Sequence, residues 1–111
     1  MTEKIQSTDF EKLDLRIGKI IEVKDHPDAD KLYILIVDLG EDEDRIIVAG
    51  LKKHYTKEEL ENKKAVFIAN LEPAKLRGIE SNGMILATSD EEGNVKIIVP
   101  ESDIEIGSKI K

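Results

Sequence analysis

Cysteine and tryptophan are absent from these 111 residues, and there are only two phenylalanines, two tyrosines and three prolines. Without cysteine there can be no disulfide, thiolate metal site or cysteine nucleophile, a usage that fits a reducing, cytoplasmic setting. No apolar run approaches the roughly 18 residues of a membrane span, and the opening segment lacks a signal-peptide core, so no membrane association is expected. The length fits one domain with one modest core. Scarce aromatics also weigh against a platform that stacks single-stranded bases, where each stack contributes about 1–3 kcal/mol. A single Gln beside abundant Lys, Glu and Ile is the composition of proteins from heat-loving organisms.

A net charge of −7 argues at first against a nucleic-acid partner. The location of the charge matters more than its sum. Residues 22–44 carry nine acids against Lys24 and Lys31, enough to account for the whole excess, and the remainder is balanced. Within 63–84, Lys63, Lys64, Lys75 and Arg77 outnumber Glu72 and Glu80.

The apolar pattern predicts short strands. Leu15 to Val23 alternates as a half-buried strand does. His26-Pro27-Asp28-Ala29-Asp30 reads as a turn, followed by an apolar strand over 32–39. Glu41-Asp42-Glu43-Asp44 is expected as a solvated hairpin tip before a third strand over 45–50. Thr8 to Glu11 and Thr56 to Glu59 have capping-box spacing, so short helices should begin at Thr8 and Thr56. Further strands are expected at 64–71, 84–87 and 95–99, with a terminal one over Ile104–Ile110. Three strands, a short helix and two strands in that order predict an all-β OB-fold, a five-stranded Greek-key barrel with the helix between strands 3 and 4. Ligands of that barrel lie across strands 2 and 3, framed by the loops joining strands 1–2 and 4–5.

Catalytic chemistry finds little support. His26 and His54 have no nucleophile-elbow context and read as exposed loop residues, and two isolated histidines cannot make a structural zinc site. Calcium-loop registers started at Asp28 or Asp38 meet Leu32 at position 5 and Ala49 at position 12, where oxygen ligands are needed. No glycine-rich phosphate cradle appears, so neither a metal nor a cofactor is expected. Recognition of a folded RNA by shape, through phosphates and 2′-hydroxyls, needs Lys, Arg, Asn and Ser instead. The connection from strand 4 to strand 5, Asn70-Leu-Glu-Pro-Ala-Lys-Leu-Arg-Gly-Ile-Glu-Ser-Asn-Gly83, supplies them. Pro73 stiffens it, Lys75 and Arg77 can share one side of an extended segment, and Asn82-Gly83 permits positive φ. A solvated loop is the plain alternative for Lys75 and Arg77, turn capping for Ser81 and Asn82, and core filling for Met84.

Four segments together are more specific: Asp14-Leu-Arg-Ile-Gly18, His26-Pro-Asp-Ala-Asp-Lys-Leu-Tyr33, Ala49-Gly-Leu51, and Asn70 to Gly78 with Ser81-Asn-Gly-Met84. In that order the sequence resembles the tRNA-binding domain family. That family includes free-standing dimeric tRNA-binding proteins, the C-terminal appendage or β subunit of methionyl-tRNA synthetases, and the cytokine-like p43 domain. The resemblance implies a tRNA-binding OB-fold domain over 10–111 with a C-terminal β extension, preceded by a polar tail over 1–9. It implies a non-catalytic module that holds the outer corner of tRNA by shape, an accessory β subunit of methionyl-tRNA synthetase with its catalytic chain as a partner. It places RNA contacts at Lys31, Asn70, Lys75, Arg77, Ser81, Asn82 and Met84. Glu72 and Ala74 stand where relatives often carry bases, which would reduce affinity. It also implies a homodimer, and apolar Phe10, Leu13, Ile104, Ile106 and Ile110 at the ends are candidates for that contact. A chaperone-like, peptide-binding branch shares the fold and is the alternative; the His26–Tyr33 run favours the synthetase-type branch.

Overall fold

The protein is described by a computed structural model covering residues 2–111. Its longest element is β1, Leu15–Asp25, which serves two neighbours. The first half pairs with β4, Lys64–Ile68, and the second half with β2, Tyr33–Asp38, all antiparallel. The register slips between Ile20 and Glu22, leaving Ile21 as an extra residue. This bulge changes the parity of the strand, so that Ile20 and Val23, three residues apart, both enter the same core. β2 continues into β3, Arg45–Ala49, by a hairpin, and β4 pairs with the short β7, Met84–Ile85. The strand order is β3-β2-β1-β4-β7. The open edge of β3 is met by the chain just before β7: the Asn82 amide donates to Ile46 O at 2.8 Å, and the Val48 amide donates to Ser81 Oγ at 2.9 Å. The result is the nearly closed, all-β barrel that the strand order predicts.

Fully buried Ile20, Leu35, Val37, Leu39, Ile47, Leu60 and Phe67 fill the interior. Leu60 comes from α2, Lys57–Leu60, the helix between the third and fourth strands. Its cap matches the sequence expectation: Thr56 Oγ1 accepts from the Glu59 amide at 3.2 Å, and Glu59 returns the bond to the Thr56 amide at 2.7 Å. Gly18 faces the same interior. A Cβ there would stand 2.6 Å from Leu39 Cδ2 and 2.8 Å from Phe67 Cδ1, so only glycine lets the Phe67 ring lie against β1.

The opposite faces of β1 and β4 carry a second cluster, Leu15, Ile17, Val66 and Ile68, against which Leu86 and Ile110 pack. The C-terminal segment covers it through the Ser108 O–Ile17 amide bond at 2.9 Å and the Leu15 O–Ile110 amide bond at 2.8 Å.

Several local expectations are corrected. α1 spans Ser7–Phe10, and its capping box runs from Gln6 to Asp9 rather than from Thr8 to Glu11, because the Asp9 carboxylate reaches the Gln6 amide. The expected polar tail therefore ends inside this turn, and Met1 lies outside the described residues. The fifth strand is divided at Leu86 into β7 and β8, Ala87–Ser89, which forms a hairpin with β9, Val95–Ile97. Ile104–Ile110 is not a strand: it makes one isolated bridge, Arg16 to Lys109, after a left-handed turn at Gly107. This turn and the β8–β9 hairpin are the C-terminal extension.

Glu41 is not a freely solvated tip residue. Arg45 holds it with bonds of 2.8 and 2.9 Å, and Arg16, itself bound to both oxygens of Asp14, reaches it at 3.4 Å. Hydrogen bonds from Arg45 hold the Glu41 carboxyl below its usual pKa, and those from Arg16 do the same for Asp14.

Two outcomes follow for stability. Gly18→Ala should cost about 1–3 kcal/mol through overpacking against Phe67, read from the urea midpoint of unfolding. The depressed carboxyls contribute stability above the ordinary carboxylate range and lose it as pH falls below about 4 through their folded values. Arg45→Met should therefore lower the midpoint at pH 7 and make the acid decline shallower; an unaltered acid limb would exclude the Glu41–Arg45 pair as a contributor.

Candidate nucleic-acid interface

The connection between β4 and β7 is not an open loop. Ala74–Leu76 (β5) and Ile79–Ser81 (β6) form a small antiparallel hairpin, closed by Arg77 and Gly78. Both turn residues have positive φ, 52° and 89°, the pattern of a type I′ turn. Gly78 is suited to that region, and an added Cβ would meet nothing within 4 Å. Arginine is not favoured there. Lys75 and Arg77 thus do not alternate along one strand as an extended segment would have them: Lys75 projects from β5, and Arg77 sits at the tip. Both are exposed.

Ala74 and Leu76, either side of Lys75, turn inward to line a cavity of about 380 Å³ with Leu51, Leu71, Met84 and Val95. Met84 is 49% exposed at its mouth, so it is neither core filling nor fully solvated.

The other expected site residues divide into two groups. Lys31 and Asn82 are exposed. Ser81 is buried, and its hydroxyl is committed on both sides, accepting from the Val48 amide at 2.9 Å and donating to Gly83 O at 3.0 Å. The bonds that close the barrel occupy it, as the turn-capping alternative for this residue would have it. Asn70 is exposed, yet its side chain clamps the N-terminal segment: Oδ1 accepts from the Asp14 amide at 2.8 Å and Nδ2 donates to Lys12 O at 2.7 Å. Gly83, with φ 120°, permits the close passage that follows, since a Cβ would stand 2.9 Å from Ile68 O.

Two residues that frame the hairpin have roles that their sequence positions do not show. Arg45 donates to Ala69 O and to Asn82 O, tying the hairpin's two ends to the start of β3. His26, expected to be exposed, is buried. Its Nδ1 accepts from the Asp28 amide at 3.0 Å, so the proton resides on Nε2, which donates to Leu76 O at 3.0 Å. The β1–β2 loop is thereby fastened to the hairpin, and Arg77 Nη2 reaches Asp28 O at 3.4 Å. Neither residue has a periodicity or spacing that marks it; a His before Pro looks like any turn histidine.

The field around the hairpin is mixed. Lys31 belongs to the β1–β2 loop and Arg77 reaches that loop at Asp28 O, whereas Lys75 stands opposite Glu80 across the hairpin. On the side of Asn82, a surface depression is lined by Glu41, Glu43, Asp44 and Glu80. Among the described residues no three or more His, Asp or Glu converge as a metal site, and no helix is long and apolar enough to cross a membrane.

Comparison with known proteins fits this geometry. Residues 15–109 match the family model described as "Putative tRNA binding domain". The chain is 59% identical over 109 residues to the methionine–tRNA ligase of Pyrococcus horikoshii, covering 98% of this chain and 15% of that protein. It thus spans about one-seventh of the length of such relatives, which come from thermophilic archaea as the composition predicts. The crystal structure of a MetRS related protein from Pyrococcus horikoshii superposes with a TM-score of 0.91 at 34% identity, covering 99% of this chain and 100% of that one. The CsaA chaperone protein from Picrophilus torridus superposes with a TM-score of 0.87 at 33% identity, covering 97% and 100%. With a barrel closed by Ser81, a hairpin carrying exposed cations at its mouth, and a family match over nearly its whole length, the chain belongs to the tRNA-binding domain family.

Proposed function

We propose that this chain is a non-catalytic module that holds folded tRNA by its shape and phosphates, serving in the cytoplasm as the accessory β subunit of methionyl-tRNA synthetase, with the catalytic chain as its partner. The observation that carries this reading is the rigid hairpin: a type I′ turn, fastened by His26 and Arg45, that presents Lys75 and Arg77 outward. Rigid presentation lowers the ordering cost of binding. Lys31, Lys75, Arg77, Asn82 and Met84 are the contacting residues, while Asn70 and Ser81 hold the frame that positions them. The structural likeness to a MetRS related protein, matched over its whole length, supports the synthetase setting.

A second reading rests on a separate observation. The apolar cavity beneath the hairpin, with Leu71, Leu76 and Met84 exposed at its edge, could seat a peptide side chain, as a chaperone-like module would require. The likeness to a CsaA chaperone protein keeps this reading in play.

We also propose a two-fold dimer through the apolar residues left exposed towards the two ends of the chain: Phe10, Leu13, Val99 and Ile104. Ile110 is not available for it, since it packs on the outer cluster of its own protomer. Sedimentation at micromolar concentration should give twice the 12.5 kDa chain mass, and Val99→Glu with Ile104→Glu should return the monomer. A monomeric parent protein would overturn the dimer.

The tRNA reading is tested by filter binding over graded salt. Lys75→Ala should weaken all tRNAs about equally and make log K against log salt shallower by about 0.7–0.9. Arg77→Asn should do the same while creating Asn-Gly, the favoured type I′ pair, so the hairpin stays formed as its charge is lost. Wild-type affinity and slope in both variants would make the hairpin a structural strap. Tighter binding of an equally long single-stranded oligonucleotide would overturn shape reading.

A further inference from the structure

A second set of cations lies beyond the hairpin, in a segment outside the sequence motifs considered above. Lys52 and Lys53 follow Leu51, whose buried side chain anchors the turn. Leu51 O accepts from the His54 amide at 2.9 Å and the Tyr55 amide at 3.0 Å, and Tyr55 O accepts from the Tyr33 hydroxyl at 2.8 Å, so the turn is held against β2. It is also joined to the β1–β2 loop, because the Lys52 amide donates to Lys31 O at 3.4 Å. That loop is the one that His26 fastens to Leu76 O on the hairpin. Leu51 and Leu76 also line the same cavity.

Three cation-bearing segments are therefore linked in sequence across the surface: the hairpin with Lys75 and Arg77, the loop with Lys31, and the turn with Lys53. Lys52 is occupied differently. It shares the Asp25 carboxylate with Lys57, at 3.1 and 2.8 Å. Lys31, Lys53, Lys75 and Arg77 have no carboxylate within ion-pair distance among the described residues.

We propose that the RNA-contacting surface continues from the hairpin across Lys31 onto the 51–54 turn, where Lys53 meets a backbone phosphate of the same RNA. The proposal rests on the tRNA reading above and extends it to a residue outside the loop where that reading began. A row of separate cations on rigid segments matches the repeated phosphates of a folded RNA better than it matches one small anion. Asp28 and Asp30 are exposed on the intervening loop, so the local field is mixed and the attraction acts at close range rather than by long-range steering.

The test is filter binding of folded tRNA to the full chain over graded salt, with Lys53→Ala, Lys53→Gln and Lys53→Arg beside Lys75→Ala. Loss of the charge at position 53 should weaken binding and lower the salt slope by about 0.7–0.9, and Lys53→Arg should restore most of both. Lys53→Gln keeps the long stem, so agreement between it and Lys53→Ala assigns the effect to charge. An unchanged slope in both neutral variants, with Lys75→Ala reducing it, overturns the extension and leaves the hairpin reading standing. A lower slope for the position-53 variants alone supports the contact here and overturns the hairpin reading instead.

Discussion

Everything in this molecule hangs on one strand being shared by two partners. β1 must pair with β4 along its first half and β2 along its second, which demands a bend that an uninterrupted strand would resist. The bulge at Ile21 supplies the bend and resets which residues face inward, so Ile17 lies in the outer cluster while Ile20 and Val23 enter the core. Gly18, just before the bend, removes the side chain that would hold Phe67 away. Once β1 is bent, β3 and β7 are carried round until their edges approach, and the barrel needs only a few bonds to shut.

Those closing bonds connect architecture to function. Ser81 supplies one from its hydroxyl, Asn82 another from its amide, and Arg45 bridges Ala69 and Asn82. All three lie in or against the stretch that carries the hairpin. The same bonds that shut the barrel therefore set where Lys75 and Arg77 project, and Ser81 belongs to the frame that positions them. Polar side chains in such a place are costly unless satisfied; Ser81 and His26 are satisfied by two partners each. Charge is sorted on the same principle. Glu41 of the acidic tip between β2 and β3 is drawn into the Arg16 and Arg45 network.

Much of the fold was legible in one dimension. Alternating apolar residues place the first four strands to within a few residues, and Thr56 with Glu59 marks the helix between them, because these signals are local and the core enforces them. The first helix was misplaced because two overlapping cap patterns compete, and the Asp9 carboxylate reaching Gln6 is what the structure adopts. Ile104–Ile110 has the apolar spacing of a strand, but it makes only one bridge, and Ile110 packs on the outer cluster of β1 and β4. Apolar spacing records the need for burial and says little about pairing.

The candidate site was legible in composition and order rather than in arrangement. By itself the sequence determined the all-β barrel, the unusual basic stretch after the fourth strand, and the motif set that marks the family, since strand periodicity, turn residues and local charge are properties of neighbours along the chain. Only the tertiary structure decided that Arg77 sits at a left-handed turn, that His26 is a buried fastening and not a loose turn residue, and that the 51–54 turn is joined to Lys31 through the Lys52 amide. The first depends on the pairing of β5 with β6, and the other two on bonds between segments some 20 to 50 residues apart, such as His26 to Leu76. Distances of that kind are created when the barrel closes and have no imprint in local spacing.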